Sequence, residues 1–170
     1  MRLRYTIIGL ILLLSSCMST NKFIGMGGAN GTKEDLPVGI EVLIEMAEYC
    51  ERIYDEGKEI GQDEFAYNVV QDRGVTIISI RGTDNAKNVL TDLDARPFQD
   101  RKLGVQVHRG FRDASEKLKN DIIENVALEE NIILTGHSLG GAIAQILGLW
   151  FEDDAYEVQI YTFGSPSVMI

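Results

Sequence analysis

The sequence predicts an α/β fold in which a mixed, mostly parallel sheet is flanked by helices. Short runs rich in β-branched residues alternate with segments of helical apolar spacing, in separate units of about 25 to 30 residues. This alternation favours parallel central strands joined by helical crossovers. The composition agrees, because 170 residues that are 45% apolar and 25% charged suffice for one globular domain.

Charge and motif content exclude several classes of function. The chain carries 16 basic and 26 acidic residues, a net charge of −10, and no basic stripe, so we expect no nucleic-acid partner. It contains no metal-ligand spacing and no nucleotide-binding glycine loop, so we expect no cofactor and no metal. Two cysteines cannot form a disulfide framework. The oligomeric state is left open by the sequence.

Residues 1–16 are predicted to be a lipoprotein signal peptide. Arg2 and Arg4 precede an apolar stretch, residues 6–14, that is too short to span a bilayer, which takes about 20 residues. The following Leu-Ser-Ser-Cys at 14–17 resembles a bacterial lipobox, in which the leader is cut before a cysteine that then carries lipid. The alternative is a generic secretory leader in which Cys17 merely falls near the end.

Cleavage before Cys17 would leave a chain with 14 basic and 26 acidic residues. A body with a net charge of −12 does not bind anionic lipid through charge, so membrane attachment would rest on the acyl chains at Cys17. We therefore expect a location in the bacterial cell envelope, lipid-anchored to the outer membrane or the cell surface. Residues 17–36 are rich in glycine and predicted to be a flexible tether, and residues 37–170 form the folded domain.

The elements of the domain follow from periodicity. An amphipathic helix is expected first, then a hairpin around Asp72-Arg73-Gly74, and then an irregular polar stretch over 82–104 that contains a short helix. A short strand, a second amphipathic helix, a buried strand, an apolar helix and a final strand complete the chain. The expected ranges are Val38–Asp55, Glu64–Gln71, Val75–Arg81, Ala86–Leu93, Val105–His108, Phe111–Glu130, Asn131–Thr135, Leu139–Phe151 and Val158–Phe163.

The most informative segment is Gly-x-Ser-x-Gly at residues 136–140, which lies between a predicted strand and a predicted helix. In this context the motif places its serine on a strained turn, with the hydroxyl above the sheet and the helix N-terminus beneath it. Side chains two residues before or after Ser138 would collide across the turn, so glycine is required there. The alternative is a glycine-rich corner with an idle serine.

Five segments, in this order, resemble the class 3, or fungal-type, lipases of the α/β-hydrolase fold. The likeness covers roughly residues 40–168, and Val89 replaces the tryptophan that the family usually has there. The chain's last residues, 165–170, also depart from the family's usual Pro-Arg-Val-Gly. The segments are Ile80–Thr83, Asn88–Leu93, Val107–Phe111, Gly136–Gly141 and Tyr161–Pro166.

The resemblance implies a hydrolase of carboxylic, acylglycerol-type esters that acts in lipid metabolism. Ser138 would be the acyl nucleophile. Thr83 would stabilise the oxyanion through its backbone N–H and hydroxyl, and Leu139 would do so through its backbone N–H. An ordinary turn hydroxyl is the alternative for Thr83, and His137 and His108 are predicted to be structural.

The sequence departs from the family at the triad, which runs serine, acid, histidine in chain order. The 32 residues after Ser138 contain no histidine, so we expect this chain alone to hydrolyse esters at no useful rate. Three interpretations stay open: a truncated lipase-like hydrolase, an inactive surface lipoprotein that binds acyl ligands, or an enzyme whose base is His108 or comes from a second polypeptide. A predicted lid, Asp84–Arg96, is rich in charge and favours soluble or short-chain esters.

Overall fold

A computed structural model describes residues 40–59, 65–82, 94 and 96–169 of the chain. The signal peptide, Cys17, the tether, Thr83 and the predicted helix at 86–93 lie outside these residues. The elements are α1 (Ile40–Glu56), β1 (Lys58–Glu59), β2 (Ala66–Asp72), β3 (Val75–Ile80), β4 (Pro97–Asp100), β5 (Val105–His108), α2 (Arg109–Asn125), β6 (Asn131–His137), α3 (Leu139–Asp153) and β7 (Glu157–Phe163).

The main sheet has five strands in the order β1-β2-β3-β6-β7. β1, β2 and β3 pair antiparallel, whereas β3, β6 and β7 are parallel. β3 and β6 are almost entirely buried because both have a neighbour on each side and helices over them. The predicted mixed sheet flanked by helices is confirmed.

Helices cover both faces of the sheet. Successive side chains of a strand point to opposite faces, and both faces of β3 and β6 are apolar, so both must be covered. On one face Ile78 and Leu134 pack into the main core with residues of α2 and α3. On the other face Ile77 and Ile133 pack with Met46 of α1. Within the described part of the chain, none of the helices combines the length and the apolar character needed to cross a membrane.

The hairpin prediction is confirmed, with β2 starting two residues later than expected. Its turn residues Arg73 and Gly74 have φ of +46° and +79°, the left-handed conformations typical of a tight turn between twisted strands.

Two expectations were wrong. The stretch 82–104 was expected to be irregular, but Pro97–Asp100 forms strand β4 and pairs antiparallel with β5. Only one of its four residues is fully buried, so the segment has no apolar pattern that would predict a strand. Its pairing with β5 makes it one. Helix α2 ends at Asn125 instead of about Glu130. The chain turns extended at Val126, and the Glu129 N–H donates to Thr76 Oγ1 at 2.9 Å as the backbone approaches β6.

Candidate active site

Ser138 lies on a strained turn between β6 and α3. Its backbone has φ +54° and ψ −123°, a conformation that side-chain-bearing residues rarely adopt. The Ser138 N–H donates to the carbonyl of Phe163 on β7 at 2.9 Å. The Ser138 carbonyl accepts the N–H groups of Gly141 and Ala142 at 3.0 and 3.2 Å. The neighbouring strand and the first turn of the helix therefore hold the serine backbone in this strained conformation.

The two glycines of the motif are required by backbone contacts on both sides of the serine. A Cβ on Gly136 would lie 2.4 Å from backbone atoms of Gly140. A Cβ on Gly140 would lie 2.2 Å from the carbonyl oxygen of Ile80 on β3. The motif spacing thus reflects how closely the helix backbone passes β3 and β6, as the sequence predicted for a strand–turn–helix corner.

Leu139 begins α3 and is buried. The first N–H groups of a helix have no acceptor within the helix and carry the positive end of its dipole. The Leu139 N–H is therefore a helix-terminal hydrogen-bond donor that directly follows the serine in the chain. Thr83, the other predicted oxyanion residue, lies outside the described residues.

Residue 82, directly before Thr83, packs against the serine turn. A Cβ on Gly82 would lie 2.5 Å from the carbonyl oxygen of His137 and 2.9 Å from Tyr54 Oη. The end of β3 therefore reaches the residue that precedes Ser138. The sequence did not indicate the Tyr54 hydroxyl at this position, because the periodicity of a helix predicts which face is buried and not where the end of a side chain lies.

The surroundings of both histidines fit the structural role predicted for them. His137 is half-buried, and burial lowers the pKa of its imidazole. His108 occupies the N-cap position of α2 without a side-chain capping hydrogen bond, and its ring meets Phe111 edge-on with centroids 5.4 Å apart. The His108 N–H donates to the carbonyl of Val168 at 3.1 Å.

The segment after β7 folds back onto the first turns of α3. Ser165 Oγ accepts a hydrogen bond from Gln145 Nε2 at 2.7 Å and donates to the Pro166 carbonyl at 3.1 Å. A Cβ on Gly141 would lie 2.8 Å from the Ser165 Cβ. The sequence did not predict this role of Gln145, because a single polar residue on an apolar helix does not indicate which group it will contact.

Two residues of the predicted lid, Asp94 and Arg96, are among the described residues, and the backbone carbonyls of both accept hydrogen bonds from the start of α2. The N–H groups of Gly110 and Arg109 donate to the carbonyls of Asp94 and Arg96 at 3.0 and 3.1 Å. The Arg96 guanidinium donates to the Asp94 carboxylate at 2.6 and 2.8 Å, and these hydrogen bonds lower the pKa of Asp94 to about 2.

A strained serine between a parallel strand and a helix N-terminus, cleared by glycines, defines the nucleophile elbow of the α/β-hydrolases. The protein is thus an α/β-hydrolase by fold and by the geometry of its serine. Residues 77–169, more than half of the chain, match the family Lipase (class 3), and the chain belongs to this family.

Known proteins of the same kind support this assignment. The secreted mono- and diacylglycerol lipase 1 of Fusarium solani is 32% identical over 99 residues, which cover 54% of this chain and 30% of that protein. The Rhizomucor miehei lipase in its propeptide complex superposes with a TM-score of 0.62 and 21% identity, over 76% of this chain and 53% of the other.

A second structure is described as a triacylglycerol lipase whose catalytic centre is a serine protease triad. It superposes with a TM-score of 0.59 and 20% identity, over 81% of this chain and 64% of that one. At these identities the superpositions establish a shared fold. The chain spans about a third or less of the length of the curated relatives it matches.

Proposed function

We propose that this protein hydrolyses carboxylic esters of the acylglycerol type, with Ser138 as the acyl nucleophile. The observation that carries the proposal is the strained Ser138 backbone, held by the Phe163 carbonyl on one side and by the N-terminus of α3 on the other. Membership of the class 3 lipase family supports the same chemistry. So do the names of the relatives, which include a mono- and diacylglycerol lipase.

The proposed reaction has two acyl-transfer steps. Ser138 Oγ bonds to the ester carbonyl carbon while its proton passes to a base, and the carbonyl electron pair moves to the oxygen. The Leu139 N–H, together with the N–H and hydroxyl of Thr83, would stabilise that oxyanion, at about 2.7–4 kcal/mol for each donor. The alcohol then leaves with a proton, and water repeats the sequence on the acyl-serine to release the acid.

A base is needed because a serine hydroxyl alone is a weak nucleophile. The sequence contains two histidines, and His137 is adjacent to the nucleophile on the strained turn. His108, at the start of α2, is the candidate within the described residues that we propose to test. A second polypeptide as the source of the base is the alternative, and the His108→Ala variant separates the two.

The test is covalent labelling of the full chain with a fluorophosphonate, read by intact mass, beside hydrolysis of 4-nitrophenyl butyrate. We expect one adduct on the wild type, none on Ser138→Ala, and no useful ester hydrolysis by this chain alone, because no histidine follows Ser138 in the sequence. Ser115→Ala is the matched control, because Ser115 is also buried but its hydroxyl donates to the Phe111 carbonyl. Labelling that survives in Ser138→Ala would contradict the proposal. An unlabelled wild type would contradict activation of Ser138 by this chain alone, as expected for an inactive lipoprotein that binds acyl ligands or for a base that comes from a second polypeptide.

We also propose that Cys17 is lipidated and anchors the protein in the bacterial cell envelope. The Leu-Ser-Ser-Cys segment after a short apolar leader supports this proposal. Replacing Cys17 by serine should move the protein from the membrane fraction to the soluble fraction, whereas Cys50→Ser should leave it in place. A Cys17→Ser protein that stays equally membrane-bound would contradict the lipobox interpretation.

A further inference from the structure

Strand β7 forms one edge of the main sheet. Among the described strands it pairs with β6 alone, over seven consecutive residues and without a bulge. None of its seven residues is fully buried, whereas five residues of β6 are. Natural edge strands are commonly shielded from other chains by lysine, proline, a bulge or a very short length. The segment Glu157–Phe163 contains no lysine, arginine or proline, and its single charge is at Glu157, so this edge lacks the usual protection.

The backbone groups of every second residue of β7 point away from β6. At the start of the strand, the Glu157 N–H donates to the Glu130 carbonyl at 2.9 Å. At its end, the Phe163 carbonyl accepts the Ser138 N–H at 2.9 Å, so the odd-numbered residues bond on the β6 side. The N–H and C=O of one residue point to the same edge of a strand, and those of the next residue point to the other edge. The outward-facing groups are therefore those of Val158, Ile160 and Thr162.

The described chain leads away from this edge after β7. Gly164, directly after the strand, has φ +58°, and the chain turns there onto α3, where Ser165 Oγ accepts a hydrogen bond from Gln145 Nε2. The chain then reaches β5, because the Val168 carbonyl accepts the His108 N–H. The segment that follows β7 is thus held against α3 and β5, and it leaves the outer edge of the strand open.

The outward-facing groups are self-complementary about Ile160. When two copies meet antiparallel, Ile160 faces Ile160 of the second copy, and the two residues exchange both of their backbone hydrogen bonds. Val158 then faces Thr162 of the second copy, which gives a further pair of hydrogen bonds on each side of the centre. This register has a two-fold axis at Ile160, the symmetry that is most common among protein dimers.

The single charge of β7 favours the antiparallel direction. In that register each Glu157 faces Phe163 of the second copy, and the two Glu157 residues lie at opposite ends of the paired strands, about 20 Å apart at the rise of a strand. In an aligned parallel pair the two Glu157 carboxylates would lie side by side, and neighbouring like charges destabilise a sheet. Charge and backbone geometry therefore select the same arrangement.

We propose that β7 pairs antiparallel with β7 of a second copy, so that the main sheet continues across the interface of a two-fold dimer. Pairing also removes more apolar surface from water, because the apolar side chains of this strand are only partly buried in the two cores of one copy. These side chains are Val158, Ile160, Tyr161 and Phe163. The dimer does not depend on the proposed ester hydrolysis.

Sedimentation of the full chain over a range of concentrations measures the association, and we expect a reversible dimer. Thr162→Pro removes an outward N–H that does not bond to β6, so each copy loses one hydrogen bond across the interface and dimerisation should weaken at least tenfold. Thr162→Val is the matched control, because it keeps both the N–H and the branched side chain, and it should dimerise like the wild type. A wild type that stays monomeric, or a dimer equally stable in Thr162→Pro, would overturn the proposal.

Amide hydrogen exchange of the wild type, resolved by NMR, keeps the proposal testable if Thr162→Pro unfolds. The N–H groups of Val158, Ile160 and Thr162 should be protected in the dimer and exchange at least tenfold faster in samples dilute enough to be monomeric. Those of Gln159 and Tyr161 face β6 and serve as the internal control, with protection that does not follow dilution. Outward N–H groups that exchange fast in the dimer would overturn the proposal. So would protection that persists in the monomer, which would show that another part of the same chain covers β7.

Discussion

The two ends of helix α3 are built by different means. At its N-terminus, Ser138 is held by a backbone hydrogen bond to β7. The glycines on either side of it lie so close to backbone atoms of β3 and of the helix itself that a Cβ would not fit. At its C-terminus, Asp154 is held by the ammonium groups of Lys102 and Lys119, which come from the β4–β5 turn and from α2.

This difference determines how each end responds to change. A backbone contact cannot move without shifting a strand, so the serine end should be rigid and intolerant of added atoms. Long charged side chains can rearrange and exchange partners with solvent, so the far end should be adaptable and cheap to alter. The proposed nucleophile lies at the rigid end.

The largest expected effect comes from adding one methyl group at the rigid end. Gly140→Ala places a Cβ 2.2 Å from the Ile80 carbonyl oxygen, and we expect a loss of about 3 kcal/mol in the free energy of unfolding. Gly148→Ala, in the same helix, meets the side-chain atoms of Ile160, which can rotate. It should cost about 1 kcal/mol or less, since alanine also favours the helix. Urea unfolding with equal losses would contradict the comparison.

A second prediction concerns a buried contact on the opposite face of the sheet. Cys50 Sγ lies 3.2 Å from Thr135 Oγ1, and burial raises the pKa of the thiol from 9.0 to about 11. The unfolded thiol loses its proton first, so the stabilisation is complete below pH 9 and falls as pH rises to 11. We expect a loss of about 2–3 kcal/mol in the free energy of unfolding over this interval.

The matched variant for this prediction is Cys50→Ala, whose unfolding free energy should fall less steeply over the same range. The difference between the two curves isolates the thiol from the titration of lysine and tyrosine side chains. Parallel curves for wild type and variant would show that Cys50 ionises as readily in the folded protein as in the unfolded chain.

The smallest effect is expected at the adaptable end. Asp154→Asn removes the partner of both Lys102 and Lys119, and because these groups are partly exposed we expect a loss of about 1 kcal/mol. Asp153→Asn loses only a 3.5 Å contact with Lys102, so its loss in the free energy of unfolding should be about 0.3 kcal/mol. The difference between the variants should shrink in 1 M salt, because ions screen exposed charges. A salt-independent difference would point to packing instead.

The same contrast explains what the sequence could predict. The elbow could be found because its requirement is local: two glycines around Ser138, between a strand pattern and a helix pattern. The hairpin at Arg73-Gly74 is also a local signal and was found. β4 was missed, because its four residues become a strand only through pairing with β5.

The ion pairs at the far end of α3 could not have been predicted from the sequence. Asp154 meets Lys102 of the β4–β5 turn and Lys119 of α2 only when those elements pack against the end of α3. The position of the Tyr54 hydroxyl beside Gly82 is also a tertiary contact, made between residues far apart in the chain. Local patterns identify strained backbone sites well, and they do not identify sites assembled from side chains.

The central claim is that Ser138 is a nucleophile held beside the N-terminus of α3. The most direct measurement is a crystal structure of the protein after reaction with an alkyl fluorophosphonate. The account predicts phosphorus bonded to Ser138 Oγ, with the phosphoryl oxygen about 2.7–3.1 Å from the Leu139 N–H nitrogen. An adduct on another residue, or a phosphoryl oxygen that points away from the start of α3, would contradict it.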